Sequence, residues 1–155
     1  MDGMSRRNFV IPLVGSAAAA ASARTSAVDA PPRVALGNTG ITMSRMGFGT
    51  GVKAGNRISA LTRQGFEKSI ALFRHCYDRG ITFYDMADWY GSHIYFREAF
   101  RQIPREKVSI MTKLWWRDDG NPAKLSVEHR KQSARAALKR FKNELGTDYI
   151  DMLLL

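Results

Sequence analysis

The chain has 155 residues, 45% hydrophobic and 25% charged, which is long enough for one packed domain and too rich in Trp, Tyr and Phe for a low-complexity tail. Its formal charge of +10 comes from 24 Lys and Arg with no recognition motif among them. A solvated helix face carrying Arg130, Lys131, Arg135, Lys139, Arg140 and Lys142 therefore accounts for the charge better than a nucleic-acid footprint. Cys76 is the only cysteine, so an internal disulfide and a multi-cysteine metal site are excluded, and its place on the apolar side of a predicted helix points to core packing.

At the start of the chain, Ser5, Arg6, Arg7, Asn8, Phe9 and Val10 precede an alanine-dominated run from Ile11 to Ala21, followed by the small residues Ala21, Ser22 and Ala23. Charged region, apolar region and small-residue site stand in the order of a secretory signal. The paired arginines before Phe9 resemble a twin-arginine export signal, which the translocation machinery reads as an address rather than an anchor. Pro12, Gly15, Ser16 and Ser22 interrupt the run, which is shorter than the roughly 20 apolar residues needed to span a bilayer, so no stable membrane anchor is expected. Residues 1–23 are read as the signal and 24–32, with Pro31 and Pro32, as a linker. Export by this route implies a periplasmic or extracytoplasmic protein. The competing reading is an N-terminal helix with a chance Arg-Arg pair.

The remainder, 33–155, alternates strand and helix. Residues 33–36 and 41–43 flank Gly37, Asn38, Thr39 and Gly40, a hairpin turn with residues suited to positive φ. Met46 to Gly51 reads as a brief strand ending in a glycine-rich turn. Over 59–79 the spacing of Phe66, Ile70, Phe73 and Tyr77 predicts a helix, closed by Gly80. Residues 81–85 form a β-branched and aromatic strand that delivers Asp85 at its end. A shorter helix through Tyr95, Phe96, Ala99, Phe100 and Ile103 stops at Pro104, and a strand over 108–113 ends on Lys113. A polar loop through Trp115, Trp116, Asp118 and Asp119 leads to a helix capped by Ser126 and ended by Gly146. The last segment, Tyr149 to Leu155, is nearly continuous in apolar residues, like a strand buried on both faces.

A hairpin followed by strand–helix units with parallel crossovers fits either a doubly wound sheet or a TIM barrel. No GxGxxG follows the first strand, and Thr50, Asp85 and Lys113 end successive strands, where a barrel gathers them at its C-terminal rim. The barrel is the preferred reading.

The stretch from Gly80 to Gly91 (Gly-Ile-Thr-Phe-Tyr-Asp-Met-Ala-Asp-Trp-Tyr-Gly) resembles the aldo/keto reductase signature, with an Asp and a Tyr five residues later. Three further features are similar to that family: Met111, Thr112 and Lys113 at a strand end, Leu145 to Asp151 before the fourth strand, and the hairpin before Gly47, Phe48, Gly49 and Thr50. The resemblance covers about 33–155. It implies the N-terminal half of an α/β (β/α)8 TIM barrel of aldo/keto reductase type, a hairpin plus the first four barrel strands.

By this resemblance the chain is a carbonyl reductase converting aldehyde or ketone to alcohol with NADP(H) or NAD(H), without metal, and its partner is a small-molecule carbonyl substrate. Tyr90 would be the general acid. A free phenol has a pKa near 10, so proton donation at neutral pH benefits from a nearby cation, which Lys113 can supply while Asp85 holds it. Gly49, Thr50, Gly51 and Asp85 stand where the family meets its cofactor. Trp89, His93 and Trp115 are candidate pocket walls, with core or loop packing as the rival reading for the tryptophans. Where the family commonly has Ser-Glu or Asn-Glu after Tyr-Gly, this chain has Ser92 and His93. The family's fourth catalytic residue, a histidine, follows a strand like 151–155, so the expectation is a truncated, inactive fragment. Alternatives are a non-catalytic nicotinamide-binding or regulatory subunit of the same fold and an unrelated exported binding protein.

Overall fold

A computed structural model describes residues 29–115 and 124–155. The export signal, the linker up to residue 28, and Trp116 lie outside the described residues. The linker's end is packed. Pro32 accepts a backbone hydrogen bond from Arg45 at 2.8 Å, and Ala30 and Pro31 sit against Gly80, which has no room for a side chain there.

Two short strands, β1 (Arg33–Ala35) and β2 (Thr42–Ser44), pair antiparallel around a turn in which Gly37 and Gly40 take φ of +52° and +78°. Then β3 (Gly47–Gly49), β4 (Phe83–Asp85), β5 (Ser109–Lys113) and β6 (Met152–Leu154) form one parallel sheet in sequence order. Registers align Gly49 with Asp85, Asp85 with Met111, and Lys113 with Leu154.

The hairpin lies across the beginnings of the strands. Ser44 donates its N–H to the Thr82 hydroxyl at 2.9 Å, and its own hydroxyl accepts from the Thr82 and Phe83 amides. The opposite ends of the strands, carrying Asp85 and Lys113, stay open.

The expected single helix over 59–79 is two helices, α1 (Ala60–Arg63) and α2 (Phe66–Asp78). Gly65 takes φ +95° between them, a conformation that breaks the helical ladder, while Ser59 and Thr62 form a reciprocal cap on α1. The periodic residues Phe66, Ile70, Phe73 and Tyr77 all belong to α2. Next come α3 (His93–Phe100) and α4 (Val127–Leu145), the latter capped by the Ser126 hydroxyl on the His129 amide and ended by Gly146 at φ +67°.

Alternation along the strands puts Tyr84, Ile110 and Thr112 on the face that receives α2, α3 and α4. Tyr84 meets Phe73, Phe96 and Phe100, and this aromatic cluster continues through Met86, Phe141 and Leu145. Truncating a fully buried phenylalanine such as Phe73 costs about 3–5 kcal/mol. One layer of helices on one face of a sequentially ordered parallel sheet is the barrel arrangement; a doubly wound sheet has helices on both faces. The last strand departs from expectation. Leu153 and Leu154 are exposed because β6 has a neighbour on one side only among the described residues.

Candidate active site

Asp85 ends β4, Lys113 ends β5, and Tyr90 closes the short 3₁₀ turn Asp88–Tyr90 that follows β4 (hereafter the Tyr90 turn). Parallel pairing of β4 with β5 brings the first two together, so Lys113 Nζ donates to Asp85 Oδ1 and also to the Met86 carbonyl at 3.1 Å. The same ammonium stands 5.1 Å from the centre of the Tyr90 ring. All three side chains are partly exposed at one rim. A carboxylate, a cation and a phenol thus share one small patch.

The loop after β3 presses on this patch. A Cβ on Gly51 would fall 2.5 Å from the Tyr90 ring, so the ring packs where only glycine leaves space. Gly91, at φ +67°, has its Cβ position 1.9 Å from the Arg57 carbonyl, and Arg57 donates its N–H to Trp89 at 3.1 Å. The Tyr90 turn is therefore clamped by backbone on that side.

The other candidate residues fall into two groups. Gly49 is exposed beside Asp85, with open space where its side chain would be. Thr50 is buried, and its hydroxyl donates to the Asp85 carbonyl at 3.1 Å and meets the Ser92 hydroxyl at 2.9 Å. It staples β3 to β4. Trp89 and Trp115 stack on one another at 5.3 Å between ring centres, with Trp115 exposed.

His93 lines a small cavity with Arg57, Asp88, Gly91 and Glu144. It is only 3% exposed; Nδ1 meets Glu144 Oε2 and Nε2 meets the Thr112 hydroxyl, each at 2.8 Å. Both ring nitrogens are engaged in joining α3 to α4 and β5.

That bond belongs to a set that reading the sequence missed. Asp88, 5% exposed, accepts from Arg140 Nη1 and Nη2 at 2.8 Å each and pairs with Arg57 at 3.1 Å. Arg140 also donates to Glu144 Oε1 at 2.9 Å. Burial alone would raise the Glu144 carboxyl, but hydrogen bonds from His93 and Arg140 hold it down at about 2. The Asp88 carboxylate pushes the Arg140 guanidinium above its already high value against the cost of burial. Arg140 and Glu144, four apart on α4, were the one available signal; the basic run around Arg140 disguised it as solvated surface.

Elsewhere, a cleft of about 710 Å³ lined by Pro31, Pro32, Arg45, His75 and Cys76 lies at the hairpin end, away from Asp85 and Lys113. Burial pushes the Cys76 thiol up, which makes it a poor nucleophile. Among the described residues no cluster of His, Cys, Asp or Glu could hold a metal ion, and no helix is long and apolar enough to cross a membrane.

The aldo/keto reductase family model matches residues 45–155, a span that includes the whole parallel sheet and the rim. The chain belongs to the aldo/keto reductase family. It is 31% identical over 122 residues to the soybean (Glycine max) protein named Probable aldo-keto reductase 1, covering 77% of this chain and 34% of the relative. It is 30% identical over 124 residues to the Arabidopsis thaliana protein named Probable voltage-gated potassium channel subunit beta, covering 76% of this chain and 35% of that one. Among solved structures, a thermostable aldo-keto reductase in complex with the inhibitor epalrestat superposes with a TM-score of 0.63 at 25% identity, over 80% of this chain and 42% of the other. The chain spans about a third of the length of these two curated relatives. The expected architecture, part of an aldo/keto reductase barrel, is thus what the fold and the family both give.

Proposed function

We propose that this chain is the acid-bearing half of an NAD(P)H-dependent carbonyl reductase. The observation that carries the reading is the single rim patch in which Lys113 bonds Asp85 and stands 5.1 Å from the Tyr90 ring.

The nicotinamide, when bound, supplies a hydride to the carbonyl carbon. Tyr90 donates its hydroxyl proton to the carbonyl oxygen, giving the alcohol, and regains a proton from solvent. As the proton leaves, negative charge builds on the phenol oxygen, and the Lys113 ammonium beside the ring stabilises it. Asp85 keeps Lys113 at that place through Oδ1, and Oδ2 remains an acceptor for a sugar hydroxyl. The donor set suits the sugar end of a nicotinamide nucleotide, since a partly exposed carboxylate stands beside Gly49, where no side chain blocks approach. The Trp89–Trp115 stack, with Trp115 exposed, is a wall for an apolar or ring-bearing carbonyl substrate. The twin-arginine reading of residues 1–23 would take the protein to the periplasm through the translocation machinery.

Among the described residues four strands form the parallel sheet, half of the eight that close such a barrel. The chain alone is therefore inactive in this reading, and turnover requires the complementary half. The test compares NADPH-dependent reduction of an aldehyde by the chain alone with that by a fusion to the second half of a matching relative. Turnover in the fusion and none in the chain alone is the expected result. A fusion that binds nucleotide with no turnover would favour a regulatory subunit, a reading supported by the relative named as a potassium channel subunit. Turnover by the chain alone at the rate of the fusion would refute the need for a second half.

A further inference from the structure

The side of the Tyr90 turn facing away from the rim carries no group of the proposed reaction, yet it holds a buried carboxylate met by two guanidiniums. Asp88 lies two positions before Tyr90 in the same three-residue turn. Its two oxygens each take one Arg140 nitrogen at 2.8 Å. A fork on a carboxylate fixes rotation as well as distance, so the orientation of the turn is set against α4.

Arg140 is itself held, since Glu144 one helical turn on accepts from it at 2.9 Å. The other Glu144 oxygen meets His93 Nδ1 and His93 Nε2 meets Thr112, each at 2.8 Å. Thr112 immediately precedes Lys113 in β5. The turn bearing Tyr90 and the strand bearing Lys113 thus meet twice. One meeting is the Lys113 ammonium at the Tyr90 ring on the rim; the other is the chain Asp88, Arg140, Glu144, His93, Thr112 behind it.

We propose that Arg140, Glu144 and His93 are positioning residues for Tyr90, setting the phenol against the Lys113 ammonium from behind without touching the reacting atoms. This rests on the carbonyl-reductase reading for the role of Tyr90, while the geometric part stands on the turn alone. A single ion pair between turn and helix would serve stability equally well. The fork and its backing by Glu144 specify direction, which stability does not require.

The test uses the full 155-residue chain with fluorotyrosine at its five tyrosines, Tyr77, Tyr84, Tyr90, Tyr95 and Tyr149, the Tyr90 fluorine signal being assigned with Tyr90→Phe. Arg140→Lys keeps the charge and loses the fork; Arg140→Met loses both. Both are expected to shift or broaden the Tyr90 signal and leave the other four in place, with Glu144→Gln giving a smaller change of the same kind. A Tyr90 signal unmoved in Arg140→Lys and Arg140→Met, or all five signals moving together, would overturn the proposal. If Arg140→Met does not fold, Arg140→Lys carries the test.

In the active fusion, Arg140→Met should lower kcat by about 10²-fold at unchanged nucleotide affinity, as for an acid misplaced by about 1 Å, with partial recovery in Arg140→Lys. Equal kcat in all three forms would refute positioning. An inactive fusion whose fluorine spectra still respond as described would refute the reductase reading and uphold the geometric claim.

Discussion

Charged side chains stand on both sides of the Tyr90 turn, and the two sets are built differently. At the rim, Lys113 and Asp85 keep 28% and 34% of their side-chain surface and share one direct bond. Behind the turn, Asp88 keeps 5% and is met by two guanidiniums, one of them in a fork. An exposed pair contributes little stability and leaves its groups free to meet a substrate, whereas a buried and fully answered one fixes geometry and is costly to break. The turn joins a solvent-facing front to a rigid back.

The comparison can be strained at several points, taken from the largest expected loss of stability to the smallest. Gly91→Ala places a methyl group 1.9 Å from the Arg57 carbonyl at φ +67°, backbone against backbone. It should cost on the order of 4 kcal/mol in denaturant unfolding, the largest loss of the set. Asp88→Ala leaves Arg140 and Arg57 without their shared acceptor and should cost about 3 kcal/mol by the same measurement.

Glu144→Gln tests the back through pH. The Glu144 carboxyl titrates at about 2 in the folded chain against an ordinary 4.5, so its ionised form favours folding. That contribution, on the order of 3 kcal/mol, is fully present above about pH 4.5 and is lost as pH falls toward 2. The stability gap between wild type and Glu144→Gln should shrink across that window. Lys113→Met, at the front, should change stability by under about 1 kcal/mol because both partners are partly exposed. A large stability loss there, or a small one at Asp88, would erase the distinction between front and back.

The front was legible in the sequence and the back was not, and the reason is sequence separation. Asp85 and Lys113 end consecutive strands, so the strand pattern places them at one rim, and the resemblance of the stretch after Asp85 to the reductase signature adds Tyr90. The back depends on residues 52 apart, Asp88 with Arg140, and 51 apart, His93 with Glu144. Each has an innocent local reading: Arg140 belongs to a basic helix face, and His93 stands next to the proposed acid and so invited a pocket role. The Ser126 cap and the Gly80 and Gly146 stops were readable because capping is local chemistry. The break at Gly65 was hidden by a helical spacing that continued cleanly on its far side.

The central claim is that the Tyr90 hydroxyl delivers the proton. Tyr90→Phe in the active fusion removes that hydroxyl and keeps the ring against Gly51, so it isolates the proton from the packing. Turnover should fall by about 10²–10⁴-fold while NADPH affinity, followed by fluorescence titration, stays within about twofold. Turnover equal to that of the parent fusion would contradict the account.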